Sequence, residues 1–174
     1  MLFIIACVLM NPLHSSGAGI PDSNERSQVE AAWKTFLQAA AAHDTGKIKS
    51  VSVEKIRCPA CVDNTEKEDK YMETFRMTEP DWYKKLSEEK VFIPVNTFCK
   101  QDYPIIFSEQ FIKKLQNSKP AYRADDSSGG KIYEVLIQTA KPGELATGHE
   151  GVLHIFQFIQ TNNGYKFRGI DTIP

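Results

Sequence analysis

The sequence predicts a single α+β domain in which an N-terminal helix covers an antiparallel sheet. Three patterns favour this class: an apolar stripe at helical spacing near the N-terminus, an alternating run at 131–139, and two apolar-rich runs around an Asn-Asn-Gly turn at 152–173. A two-stranded hairpin is only marginally stable in water, so the C-terminal hairpin requires further strands and a covering helix. The remaining elements must supply them.

Residues 1–19 resemble a cleavable export signal. The apolar run Leu2–Met10 is followed by a proline and small residues, with cleavage expected near Ala18. The run is too short to cross a bilayer, which takes about 20 residues. We therefore expect an exported protein, periplasmic or secreted, with residues 20–174 forming one domain. The alternative for the N-terminus is a lipid anchor on Cys7.

The charge balance favours neither nucleic acid nor an anionic membrane as a partner. The chain has 21 Lys and Arg residues against 22 Asp and Glu residues, a formal net charge of -1. The charged run at 66–70 alternates in sign, which is typical of a solvated helix or loop surface. We therefore predict no nucleic-acid partner and no membrane span.

The first helix of the domain is expected to begin at Asp22, Ser23 or Asn24, because these residue types cap helices and Glu25 suits the positive end of the helix dipole. Apolar side chains then recur at steps of three and four: Val29, Ala32, Trp33, Phe36, Leu37 and Ala40. Asp44 can cap a short second helix, in which Ile48 faces inward. The two helices should form a corner.

Shorter local signals predict the elements that follow. They are a helix or strand at 71–76, a short helix at 81–90, a strand at 91–93, a helix after Ser108, a turn at 125–130, a strand at 131–139 and the hairpin at 152–173.

Both ends of the chain resemble the nuclear-transport-factor-2-like superfamily, which includes polyketide-cyclase-like and ketosteroid-isomerase-like proteins. The resemblance rests on WKTFLQAAAAHDTGKIKSV at 33–51 and FQFIQTNNGYKFRGID at 156–171. It implies a strongly curved antiparallel sheet that forms a cone, with the N-terminal helices packed in its concave face around an apolar pocket. It also implies a homodimer formed through the outer face of the sheet. The Cys-x-x-Cys at 58–61 and the long segment after it depart from the usual pattern of the family.

This resemblance makes the inside of the cone the candidate site. The candidates for its lining are Trp33, Phe36, Tyr133, His154, Phe156 and Asp171. Enzymes of the superfamily place a buried carboxylic acid or Tyr in the cone, but no such motif matches residue by residue, so no catalytic residue is assigned. We expect non-catalytic binding of a small apolar ligand, or an interaction through the sheet, without a cofactor. The alternative is an isomerase or hydrolase that uses the same pocket.

Three cysteines remain after removal of the signal: Cys58, Cys61 and Cys99. In an exported protein they predict a structural disulfide, either between Cys58 and Cys61 or between one of them and Cys99. A thioredoxin-like redox motif would need an apolar strand before the first Cys and a helix after the second, whereas charged residues flank this motif. A zinc site would need a fourth ligand from His149 or His154, at a spacing that zinc motifs do not show. We therefore predict no metal site.

Overall fold

The computed structural model describes residues 22–125 and 131–173. The expected export signal at 1–19 and most of the expected turn at 125–130 lie outside the described residues. The helices are α1 (Ser23–Ala41), α2 (Thr45–Ser50), α3 (Glu66–Thr78), α4 (Trp82–Lys85), α5 (Val95–Thr97), α6 (Tyr103–Ile106) and α7 (Glu109–Asn117). The strands are β1 (Ser52–Arg57), β2 (Phe92–Pro94), β3 (Ala121–Asp125), β4 (Ile132–Ala140), β5 (Val152–Thr161) and β6 (Gly164–Ile173). The α+β class is therefore confirmed.

Within the described residues the strands form one six-stranded sheet in the order β2-β1-β6-β5-β4-β3. All neighbouring strands are antiparallel except β1 and β6, which are parallel. The expectation of a purely antiparallel sheet was therefore wrong, and the sheet is mixed. Antiparallel neighbours can be joined by tight turns, whereas parallel strands need a long connection. The chain between β1 and β6 supplies that connection, because it contains the other four strands.

The C-terminal hairpin is confirmed, with β5 and β6 joined at Thr161 and Gly164. Gly164 has a φ of 89°, a backbone conformation that residues with a Cβ atom rarely adopt. The register shifts by one residue between the pairs Phe158–Phe167 and Gln157–Gly169. This shift leaves Arg168 as the extra residue of a β-bulge, which changes the side-chain alternation along β6.

Helix α1 begins at a capping box. The Asp22 carboxylate accepts hydrogen bonds from the backbone N–H groups of Asn24 and Glu25, and the Glu25 side chain accepts one from the backbone N–H of Asp22. This arrangement satisfies donors that the first helical turn would otherwise leave unpaired. The N-terminus expected from the sequence is thus confirmed.

The apolar stripe of α1 packs on β5 and β6. The Trp33 ring lies 4.7 Å from the Phe156 ring, and the Phe36 ring lies 4.2 Å from the Phe167 ring, measured between ring centroids. All four side chains are buried in the main hydrophobic core. Packing of the opening helix on the final hairpin is therefore confirmed.

The segment at 66–78, which the sequence left open between helix, strand and loop, is α3. Thr65 and Glu68 form a second capping box at its start. Met72 and Phe75 are its buried residues, and they lie outside the main core cluster. Helix α3 therefore packs on the periphery of the domain.

Candidate functional site

A cavity of about 290 Å³ opens where β5 and β6 meet α6, α7 and the turn between Cys58 and Cys61. We name it the His154 cavity. It is lined by Ala60, Ile106, Phe111, His154, Ile170 and Thr172. Most of this lining is apolar, and its two polar side chains are a His and a Thr. A mainly apolar concave surface with few polar groups is the usual form of a small-molecule site.

The strand register places His154 at this cavity. His154 lies two residues before Phe156 on β5, so both side chains point to the helix-covered face of the sheet. Its cross-strand neighbours are Ile137 on β4 and Thr172 on β6. The β-bulge at Arg168 determines the pairing of His154 with Thr172. Without the bulge, Asp171 would lie opposite His154.

His154 is held by two contacts. Its Nδ1 atom lies 2.9 Å from Thr139 Oγ1, and its ring centroid lies 4.7 Å from that of Phe111. Burial lowers the pKa of His154 to about 4, and the nearby positive charge of Lys114 acts in the same direction. The imidazole is therefore neutral near pH 7.

Of the six candidates from the sequence, His154 alone lines this cavity. Trp33, Phe36 and Phe156 pack against one another in the core, and Tyr133 is buried against the ring of Tyr165. Their role in ligand binding stays a prediction.

Asp171 also lies apart from the His154 cavity. Its carboxylate accepts a hydrogen bond of 2.7 Å from Arg57 Nη1, and both residues line a separate polar cavity of about 760 Å³. This polar cavity also contains Gln157 and Arg168, and its charged groups are of both signs. The structure therefore separates Asp171 from His154.

Sequence reasoning missed the residues that complete the His154 cavity. The apolar periodicity of α7 placed Phe111 on the inner side of its helix, but gave no reason to connect it with His154. Thr172 could have been found only by counting the hairpin register from the turn, and that count fails at the bulge. Ile106 and Ala60 lie in short elements without a periodic pattern, so no sequence signal indicated either residue.

The cysteines resolve the alternatives that the sequence left open. Cys58 and Cys61 form a disulfide, with 5.3 Å between their Cα atoms, and Cys99 is a buried free thiol. Burial raises the pKa of Cys99, which makes it a poor nucleophile. Among the described residues, no three His, Cys, Asp or Glu side chains form a group that could hold a metal ion.

Comparison of the sequence with protein-family models and with curated proteins found no match. Across residues 22–125 and 131–173, no helix combines the length and apolar character that a membrane crossing requires.

Proposed function

We propose that the chain is an exported, non-catalytic domain that binds a compact apolar molecule in the His154 cavity. The observation that carries this proposal is the lining, in which four apolar side chains surround one His and one Thr. The volume of about 290 Å³ is at the lower limit of the roughly 300–1,000 Å³ that small-molecule sites occupy. It therefore favours a ligand much smaller than a steroid.

The surroundings of His154 support binding over catalysis. The partner of its Nδ1 atom is the hydroxyl of Thr139, and none of the described residues that line the cavity is an Asp, Glu, Tyr or Cys. A general base is most effective when its pKa lies near the working pH, whereas the pKa of His154 is lowered to about 4. The isomerase or hydrolase alternative therefore has weaker support.

We also propose that the sheet curves around α1 as a cone of the nuclear-transport-factor-2-like type. Two observations support this fold: the sequence resemblance at both ends of the chain, and the contacts of Trp33 and Phe36 with β5 and β6. The Cys58–Cys61 disulfide supports export, because disulfides persist mainly in oxidising compartments.

Titration with hexan-1-ol, followed by NMR, tests the binding proposal. We expect saturable shifts of the methyl signals of Ile106 and Ile170 and of the His154 ring signals. Ala60→Trp should abolish these shifts, because the exposed Ala60 lies at the edge of the cavity. Ala31→Trp, a matched change at an exposed position of α1, should leave them intact. Shifts that fail to saturate, or that survive Ala60→Trp, would contradict the proposal.

A further inference from the structure

The hydrogen bonds of Thr139 are compatible with both neutral tautomers of His154. Thr139 Oγ1 lies 2.9 Å from His154 Nδ1 and 3.5 Å from the carbonyl oxygen of Val152. In one tautomer Nδ1–H donates to Oγ1, and the hydroxyl donates to Val152. In the other, the hydroxyl donates to Nδ1 and the ring proton lies on Nε2. A ligand that accepts a hydrogen bond at Nε2 selects the second tautomer.

The Nε2 atom is the end of the ring that is free to bind a ligand. The hydrogen bonds of the described residues include none to His154 Nε2, and this atom is not among their buried, unpartnered polar atoms. It is therefore accessible, and His154 lines the cavity. Thr172, the cross-strand neighbour of His154, is exposed and lines the same cavity. Directly opposed residues have Cβ atoms about 4.5–5.5 Å apart, so both side chains can reach one polar group of a ligand.

The charge around this polar end is positive. Lys114 follows Phe111 by three positions on α7, which places both residues on the same side of the helix. The Phe111 ring contacts the His154 ring, and the Lys114 charge is close enough to affect the imidazole. Among residues 22–125 and 131–173, no acidic side chain lines the cavity. Asp171, the neighbour of Thr172 in the chain, is paired with Arg57.

We infer that the His154 cavity takes a compact apolar monocarboxylate. Its carboxylate accepts hydrogen bonds from His154 Nε2 and Thr172 Oγ1 beside the ammonium group of Lys114. Its apolar tail packs on Ile106 and Phe111. Hydrogen bonds to a charged acceptor are stronger than those to a neutral one, so the charge contributes to selectivity as well as affinity. This inference rests on the proposed function and names the ligand class of the same site.

Competing titrations with hexanoate and hexan-1-ol test the inference. Both probes have the same tail length and differ in the charge of the polar group. At pH 7 we expect hexanoate to bind about tenfold more tightly, with shifts at Ile106 and His154. Lys114→Gln should weaken hexanoate binding about threefold and leave hexan-1-ol binding unchanged. Lys113→Gln, the matched change at the adjacent exposed position, should affect neither probe.

The outcomes separate this inference from the proposed function. Equal affinity of the two probes at the His154 cavity would overturn the carboxylate assignment and leave the proposed function standing. An equal loss of hexanoate affinity in the Lys113 and Lys114 variants would also overturn it, because the effect would then come from net charge alone. If neither probe binds at the cavity, both proposals fail.

Discussion

At the scale of single residues, Asp102 has the least favourable environment for a charge. Its side chain is buried, Oδ1 accepts a hydrogen bond of 3.0 Å from Asn64, and Oδ2 has no partner among the described residues. Burial raises the pKa of this carboxyl, and the nearby charge of Glu68 raises it further. Because the folded-state pKa lies above the unfolded one, ionisation lowers the stability of the native state as the pH rises.

We therefore expect Asp102→Asn to gain stability relative to the parent protein as the pH rises. The amide retains an acceptor for Asn64 and does not ionise. The difference in the free energy of unfolding should be constant below about pH 3, where the parent carboxyl is protonated in both states. It should then increase in favour of the variant by about 1 kcal/mol at pH 7. Urea unfolding across this range measures the difference, and a value independent of pH would contradict the account.

At the scale of elements, the disulfide closes a very short loop beside the His154 cavity. Cys58 and Cys61 are three positions apart, and Ala60 between them lines the cavity. A loop of this length restricts the unfolded chain only weakly, so removal of the disulfide should cost about 2 kcal/mol. We expect this loss in the double variant Cys58→Ala, Cys61→Ala by urea unfolding. Added reductant should destabilise the parent and the Cys99→Ala variant by similar amounts, and should leave the double variant unchanged.

The longest elements that the sequence predicted have extended apolar patterns. Helix α1 and strands β4 and β5 each bury several apolar residues along one face, so their periodicity is visible in the sequence. Strand β1 buries only Ser52 and Ile56, and β3 buries only Ala124. Such short, partly charged strands at or near the sheet edge have no clear pattern, and both were missed. The bulge at Arg168 was also missed, because it depends on the tertiary packing of β6.

At the scale of the whole molecule, most buried apolar residues belong to one main core, whereas Met72 and Phe75 of α3 are buried outside it. Phe36 belongs to the main core and contacts the rings of Phe107, Phe156 and Phe167. Phe75 is buried outside that core, where Lys90 lies over its ring. The stability of the domain should therefore depend far more on Phe36 than on Phe75.

We predict that Phe36→Ala lowers the free energy of unfolding by about 3–5 kcal/mol, because it leaves a cavity among rigidly packed rings. Phe75→Ala should cost less than half as much, because its site is at the periphery and can relax. Urea unfolding of the two variants provides the comparison. Equal losses would show that α3 is part of the central core.

The sequence predicted the relation between the opening helix and the final hairpin, but only part of the candidate site. Trp33 and Phe36 were correctly placed against Phe156 and Phe167, because both segments have one strongly apolar face. The His154 cavity could not be predicted, since three of its lining residues, Ala60, Ile106 and Phe111, come from segments that are distant from β5 in the chain.

Xenon binding in crystals tests most directly the claim that α1 fills the core and leaves a mainly apolar cavity at His154. Xenon enters empty apolar cavities, whereas polar ones hold ordered water. We predict a xenon atom in contact with Ile106, Phe111 and Ile170. The absence of xenon from this cavity, or xenon bound beside Trp33 and Phe36 instead, would contradict the account.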